Sequence, residues 1–353
     1  QRWTSNRERF SAGYFRRYVL GLSMKINIAL FLISLLVAMN SAASPYDDAL
    51  TAYNNGDYSK AFTLFNALAE NGNSDAQFKL AIMHGNAQGV CKDDKKLMYW
   101  LKRAADNGQP KAEYHLGFFY RYGFGLPKDI EQSKKWFSRS ANHGNNDSAL
   151  ALANIYLEEK ETTENNNLAI KWLEVAAKNN HTDSMHNLGV IYLKGDIVEQ
   201  NLNESEKLLL NSAKNGNVDS QNLLGYLYGS GSNFSKNYKQ SFYWYKQAAM
   251  QGSRDAQYFI GILYDKGIGV KTNYIEAYAW LKCAEKNWKV EDFSKKYIDE
   301  SFTISHVKNE EITFKERIQN LEEKLSKTEL NQAIKLADSY YDKYPYMTFI
   351  PAK

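Results

Sequence analysis

Residues 254–270 read RDAQYFIGILYDKGIGV, and the fold turns on the fact that this stretch is one of six near copies spaced 36 residues apart. Its small residue Ala256 has counterparts at Ala76, Ala112, Ser148, Ser184 and Ser220. Four positions later stand Leu80, Leu116, Leu152, Leu188, Leu224 and Ile260, followed at once by Ala81, Gly117, Ala153, Gly189, Gly225 and Gly261. Eight past the small residue come Tyr120, Tyr156, Tyr192, Tyr228 and Tyr264, with His84 in the first copy. A fixed period of this size marks stacked supersecondary units that pack on their neighbours, so the length of the chain counts repeats rather than domains.

The copy at residues 109–144 shows what one unit contains. Ala112, Leu116, Phe119 and Tyr120 are spaced by three and four, which predicts a helix from Pro110 to Tyr122. Gly123, Gly125 and Pro127 stop it. A second helix is predicted from about Ile130 to His143, with Trp136, Phe137, Ser140 and Ala141 inward and Gly144 closing it. That helix carries Trp100, Trp136, Trp172, Trp244 and Trp280 at one place, and Ala69, Ala105, Ala141, Ala177, Ala213 and Ala249 at another. An alanine lets two backbones approach while a tryptophan fills the space beside it, so these aromatics read as core. The connection at Glu158 to Glu164 has no glycine, which predicts a looser link there.

The pattern A-x-x-x-L-G-x-x-Y, then G-x-G-V/L, then A-x-x-W-Y/L/F-x-x-A-A-x-x-G resembles the Sel-1-like repeat family, relatives of the tetratricopeptide repeats. Residues 254–270 and 241–252 (SFYWYKQAAMQG) carry the resemblance most closely, and it covers about 46–290. It implies an all-α, right-handed α/α superhelical solenoid of about six helix pairs, its concave wall built from the first helix of each pair. It also implies a role in holding other proteins rather than in chemistry. Residues 44–72, with Ala52, Tyr53, Gly56, Ala61 and Phe65, look like a tetratricopeptide unit capping the solenoid of 73–290. Residues 291–353 form the predicted helical tail, with segments at Glu291 to Ser301 and Glu310 to Leu325. Ser326 and Glu329 then make a capping box that opens a last helix through Leu330, Ala333, Leu336, Ala337 and Tyr340. Covering the apolar end of the stack is the expected role of this tail, and a coiled-coil dimerisation arm is the alternative.

The net charge of +4 is local. Residues 1–23 hold five arginines against one acid, and residues 24–353 hold 39 basic and 39 acidic residues, so the body gives no case for nucleic acid. Met24-Lys25, an apolar run from Ile26 to Met39 and the small residues Ser41 to Ala43 describe a secretory signal peptide. The run is shorter than the roughly 20 residues that a membrane span needs. The expectation is therefore that 1–23 is mis-called upstream sequence, that 24–43 is a signal peptide cleaved after Ala43, and that the product is exported, periplasmic or secreted, with no stable membrane anchor. A long basic region on a retained anchor is the alternative. Cys91 and Cys283 lie 192 residues apart and are expected to be unpaired.

Catalytic signatures are missing from the sequence: no C-x-x-C, H-E-x-x-H, P-loop or G-x-S-x-G occurs, and no cofactor or metal is called for. The one S-x-x-K, Ser305 to Lys308, stands without S-D-N or K-T-G companions. The β-lactamase-like label borne by some cysteine-rich relatives goes with a cysteine pair in every repeat, which this chain lacks. Asn146, Asn180, Asn203 and Asn233 begin N-x-S/T sequons, which in a eukaryote would favour an adaptor of the endoplasmic-reticulum lumen. The reading is a non-catalytic scaffold for a protein or peptide of unknown identity. By resemblance to tetratricopeptide arrays, side chains two and six past each small residue should face the groove. The candidates are Phe78, Tyr114, Phe118, His186, Asn222, Tyr226 and Tyr258, with Arg121 and Tyr122 nearby.

Overall fold

A computed structural model describes residues 44–159, 161–286 and 314–345. The expectations for 1–43, for Glu291 to Ser301 and for Ser305 to Lys308 lie outside the described residues. Those residues hold sixteen helices and no strand. They divide into two compact units, one up to His143 and one from Gly144.

The first unit is three helix pairs: α1 (Pro45–Asn54) with α2 (Tyr58–Glu70), α3 (Ser74–Asn86) with α4 (Asp94–Asp106), and α5 (Pro110–Tyr122) with α6 (Ile130–Asn142). The second has four: α7 (Asn146–Glu158) with α8 (Thr163–Lys178), α9 (Thr182–Lys194) with α10 (Leu202–Lys214), α11 (Val218–Ser230) with α12 (Tyr238–Met250), and α13 (Arg254–Lys266) with α14 (Tyr274–Lys286). Two devices recur, and α3–α4, α5–α6, α11–α12 and α13–α14 have both. Asn73, Gln109, Asn145, Asn217 or Ser253 caps the first helix by accepting from the backbone N–H of the small residue three places on. The carbonyl of His84, Tyr120, Tyr192, Tyr228 or Tyr264 then accepts from the backbone N–H of the residue that caps the second helix, nine places later.

Within a pair the two backbones touch closely. The hydroxyls of Ser133, Ser205 and Ser241 donate across the pair to the carbonyls of Gly117, Gly189 and Gly225, at 2.8, 2.7 and 2.6 Å. A Cβ on Gly225 would lie 2.8 Å from the buried Tyr245 ring. The six small residues that set the register are all fully enclosed. Trp100, Trp136, Trp244 and Trp280 are buried as expected, whereas Trp172 is only half-buried.

The connection after Tyr156 is shorter than those within the other pairs from α3 to α14. Without a glycine to take positive φ, α7 ends at an extended Glu159, and α8 starts at Thr163 and runs 16 residues instead of 13. Thr162 caps it, and the acid Glu164 falls in the first turn, where the helix dipole favours it.

Two helices close the second unit, α15 (Phe314–Lys324) and α16 (Lys327–Lys343), both packed on α14. The capping box of Ser326 and Glu329 is present. Ile318, Leu321, Ala333 and Ala337 are buried, and the rings of Tyr340 and Tyr344 lie against Trp280, with centroids 4.3 and 5.7 Å from its own.

Adding a methyl at Gly225 improves helix propensity by about 1 kcal/mol. It also drives into a ring already stacked on Phe259 at 5.0 Å, an overpacking cost of about 1–3 kcal/mol. Gly225→Ala should therefore lower the thermal midpoint measured by circular dichroism. Adding Tyr245→Leu, which recreates the Ala81 and Leu101 pair of the first unit, should restore much of the loss.

Candidate functional site

The candidates fall into two groups. Phe78 on α3 is buried, its ring 5.6 Å from that of His115 on α5, so it seals the joint between consecutive repeats instead of facing a groove. Tyr114 is half-buried and packs on Phe137 at 5.7 Å. In the second unit His186 Nδ1 meets Ser220 Oγ at 2.9 Å and Asn222 Nδ2 donates to Ser253 Oγ at 3.0 Å, both reaching the next repeat. Tyr226 and Tyr258 are half-buried against the apolar cluster around Tyr245 and Trp280. Phe78, His186 and Asn222 thus reach the next repeat, while Tyr114 packs within its own pair.

The hydrogen bonds around His186 determine its tautomer. Ser212 Oγ donates to the Thr182 carbonyl at 2.8 Å and Ser220 Oγ donates to Ser212 Oγ at 2.8 Å. Each hydroxyl has one proton, so Ser220 can only accept from His186, which must carry its proton on Nδ1.

Phe118, Arg121 and Tyr122 form the other group, and the structure adds Phe124. Phe118 is 4.6 Å from Tyr122 and stacks on Phe124 at 5.8 Å, with Tyr122 and Phe124 6.1 Å apart. The Arg121 guanidinium sits 5.5 Å over the Tyr122 ring. Tyr122 and Phe124 are 52% and 55% exposed. Phe124 is held between Gly123 and Gly125, both at positive φ, with its N–H donating to the Phe119 carbonyl at 3.1 Å. A large apolar side chain in an exposed reversal is the signal in the sequence, hidden because the G-x-G turn reads first as a helix stop.

A charge buried nearby belongs to the framework. Gln77 and Gln221, one place past the small residue, donate to the carbonyls of Ala69 and Ala213 and accept from Asn107 and Gln251. At that place α5 has Glu113, fully buried, which cannot donate. Arg139 donates to the Ala105 carbonyl in its stead, at 3.1 Å, and its Nε lies 3.1 Å from Glu113 Oε1 as an ion contact. His143 Nδ1 completes the site at 2.8 Å from Glu113 Oε2.

One arrangement resembles a hydrolytic triad without being able to act as one. His181 Nδ1 is 2.9 Å from Ser184 Oγ and its Nε2 is 3.2 Å from Asp147 Oδ1. Ser184 is fully enclosed, so no acyl group can reach its hydroxyl, and His181 occupies the helix-capping place. Among the described residues no group of three or more His, Cys, Asp or Glu could hold a metal ion, and no helix is long and apolar enough to cross a membrane. Cys91 is exposed and Cys283 buried, neither in a disulfide.

The Sel1 repeat family model matches residues 52–73, 74–109, 110–145, 146–181, 182–217, 218–253 and 254–287. A Sel1 repeat protein from Oxalobacter formigenes is 30% identical, with 68% of this chain and 99% of that one covered, at a TM-score of 0.60. The protein c5321, a protective antigen present in uropathogenic Escherichia coli strains and displaying an SLR fold, is 25% identical over 87% of this chain, at a TM-score of 0.65. The match spans 62% of the length of that Escherichia coli chain. No curated protein matches.

Burial foremost, and then Lys111, holds the His115 imidazole below its ordinary value, and burial does the same to His186 against the opposing pull of Asp219 and Asp183. The unfolded chain therefore takes up these protons first as pH falls below about 6.5. Stability is complete above that value and is lost below it, by at most about 1.4 kcal/mol per pH unit for each histidine. Unfolding midpoints at pH 7.5 and 5.5 should differ less in the His115→Gln/His186→Asn variant than in the native chain.

Proposed function

Because the chain belongs to the Sel1 repeat family, we propose that it is an exported, non-catalytic scaffold that holds a protein or peptide against the first helices of its repeats. Sel1 repeat proteins are generally protein-interaction scaffolds. The observation that carries the reading for this chain is the cluster of Phe118, Tyr122 and Phe124. Two of its rings are more than half exposed beside a helix whose inward side chains are accounted for by packing. Exposed aromatics held rigidly are favoured anchors for partners. Export is proposed from the segment Met24 to Ala43, and the standing of the similar Escherichia coli protein as a protective antigen agrees with it.

A photo-crosslinking phenylalanine analogue placed at Phe118 tests the scaffold role in source cells. A discrete adduct is expected from that position and none from Tyr243, an exposed aromatic on the second helix α12. Equal labelling at both positions, or labelling at neither, would remove the support. Hydrolysis of a chromogenic β-lactam by the purified chain would overturn the non-catalytic part. Export is checked by fractionation: the tagged chain should leave the cytoplasm, and deletion of residues 24–43 should retain it there.

A further inference from the structure

The 36-residue frame separates what the fold requires from what it does not. Ten places past the small residue the copies carry Asn86, Tyr122, Glu158, Lys194, Ser230 and Lys266, so the aromatic is peculiar to α5. One place before the small residue they carry Asp75, Lys111, Asp147, Asp183, Asp219 and Asp255. An acid suits that place because it lies in the first turn, where the helix dipole favours negative charge. Lys111 puts a cation at that place on the very helix that bears the aromatic cluster, and Glu113 is the acid of its first turn. Neither departure is needed for the fold, since the other five copies do without both.

The two departures share a surface. Lys111, Phe118 and Tyr122 are spaced by seven and four, which lines them along one stripe of α5. The only acid of α5, Glu113, is buried and engaged with Arg139 and His143, so the charge that the stripe itself carries is Lys111. Lys128 stands beside Gly123 in the loop beyond. On α3, Lys79 lies 4.8 Å over the Tyr53 ring, its ammonium pushed down by burial and then by Lys111. Among the described residues no carboxylate pairs with Lys79 or Lys111. The stripe thus starts at a cation and ends in aromatic rings, and the nearby carboxylate of Asp75 on α3 accepts from the Gln109 side chain.

We propose that the stripe of Lys111, Phe118 and Tyr122, closed by Phe124, docks an acidic, aromatic-bearing peptide segment of a partner protein. The proposal rests on the scaffold reading above and adds the chemistry of its partner. Lys111 and Tyr122 stand about 16 Å apart along the helix, the span of about five extended residues. An apolar side chain of the segment packs on the three rings while its carboxylates meet the cations.

The test is fluorescence anisotropy on the full chain with three dye-labelled probes, Asp-Glu-Phe-Asp-Glu, Lys-Arg-Phe-Lys-Arg and Asp-Glu-Gly-Asp-Glu. The first should bind at least about tenfold more tightly than either other, and added salt should weaken it. Two variants use residues that other copies carry at the same places and so keep the fold: Lys111→Asp, and Tyr122→Ser with Phe124→Gln. Each should lower affinity for the first probe about tenfold. Equal binding of the three probes, or native affinity in both variants, overturns the proposal. Tighter binding of labelled polygalacturonate than of the acidic peptide overturns the assignment to a peptide. If the probes fail while the Phe118 crosslink still forms, only the partner chemistry is wrong; if both fail, the scaffold reading falls with it.

Discussion

Everything in a repeat depends on how closely its two helices approach at the residue after the recurring leucine or isoleucine. At Gly225 the ring of Tyr245 sits where a Cβ would be, and at Gly189 and Gly261 the side chains of Leu209 and Leu281 do the same. That approach brings the Ser241 hydroxyl within reach of the Gly225 carbonyl and sets the angle at which the next pair can be laid down. Where the frame has alanine instead, at Ala81 and Ala153, the facing side chain twenty places on is a leucine, Leu101 or Leu173, and no ring. A ring is therefore met only opposite glycine, at Gly117 and Gly225, whereas a leucine is met opposite glycine and alanine alike.

Between pairs the coupling is polar. The amide of Gln77 or Gln221 bridges the end of the preceding second helix to the end of its own. An amide suits this role because it donates and accepts from one planar group. At Glu113 the donor is lost, so an arginine from the second helix supplies it, and a histidine answers the other oxygen. The result is a charged version of a neutral bridge. Glu113 is enclosed while Arg139 reaches the surface, and without Arg139 the Glu113 side chain would be left with His143 alone.

Much of the fold is legible in the sequence because it is periodic. The predicted helix from Pro110 to Tyr122 is α5, and the predicted second helix ends within a residue of Asn142. The site is legible only in part. Side chains two past the small residue lie at the joint between repeats, and what they do there depends on the neighbour they meet. Phe78 meets a histidine ring and is buried, while His186 meets a serine and is tied by a hydrogen bond. Single-unit periodicity carries no information about that neighbour. Phe124 is hidden for a different reason, since its flanking glycines announce a turn and say nothing of the ring between them. The link after Glu158 differs from the other connections in that α8 starts earlier, at Thr163.

The amide of Gln257, the last of the bridging glutamines, donates to the carbonyls of Ala249 and Tyr344. Tyr344 belongs to the tail, and with Tyr340 it covers the face of Trp280 on which another pair would stack. The tail therefore works as a stop on growth of the array. Duplication of a 36-residue block inside the chain yields a new pair with a ready place between two others. The same block appended after Lys286 would have to displace α15 and α16 before it could pack. The tail thus fixes the number of pairs at this end, and the array can lengthen only by insertion ahead of it.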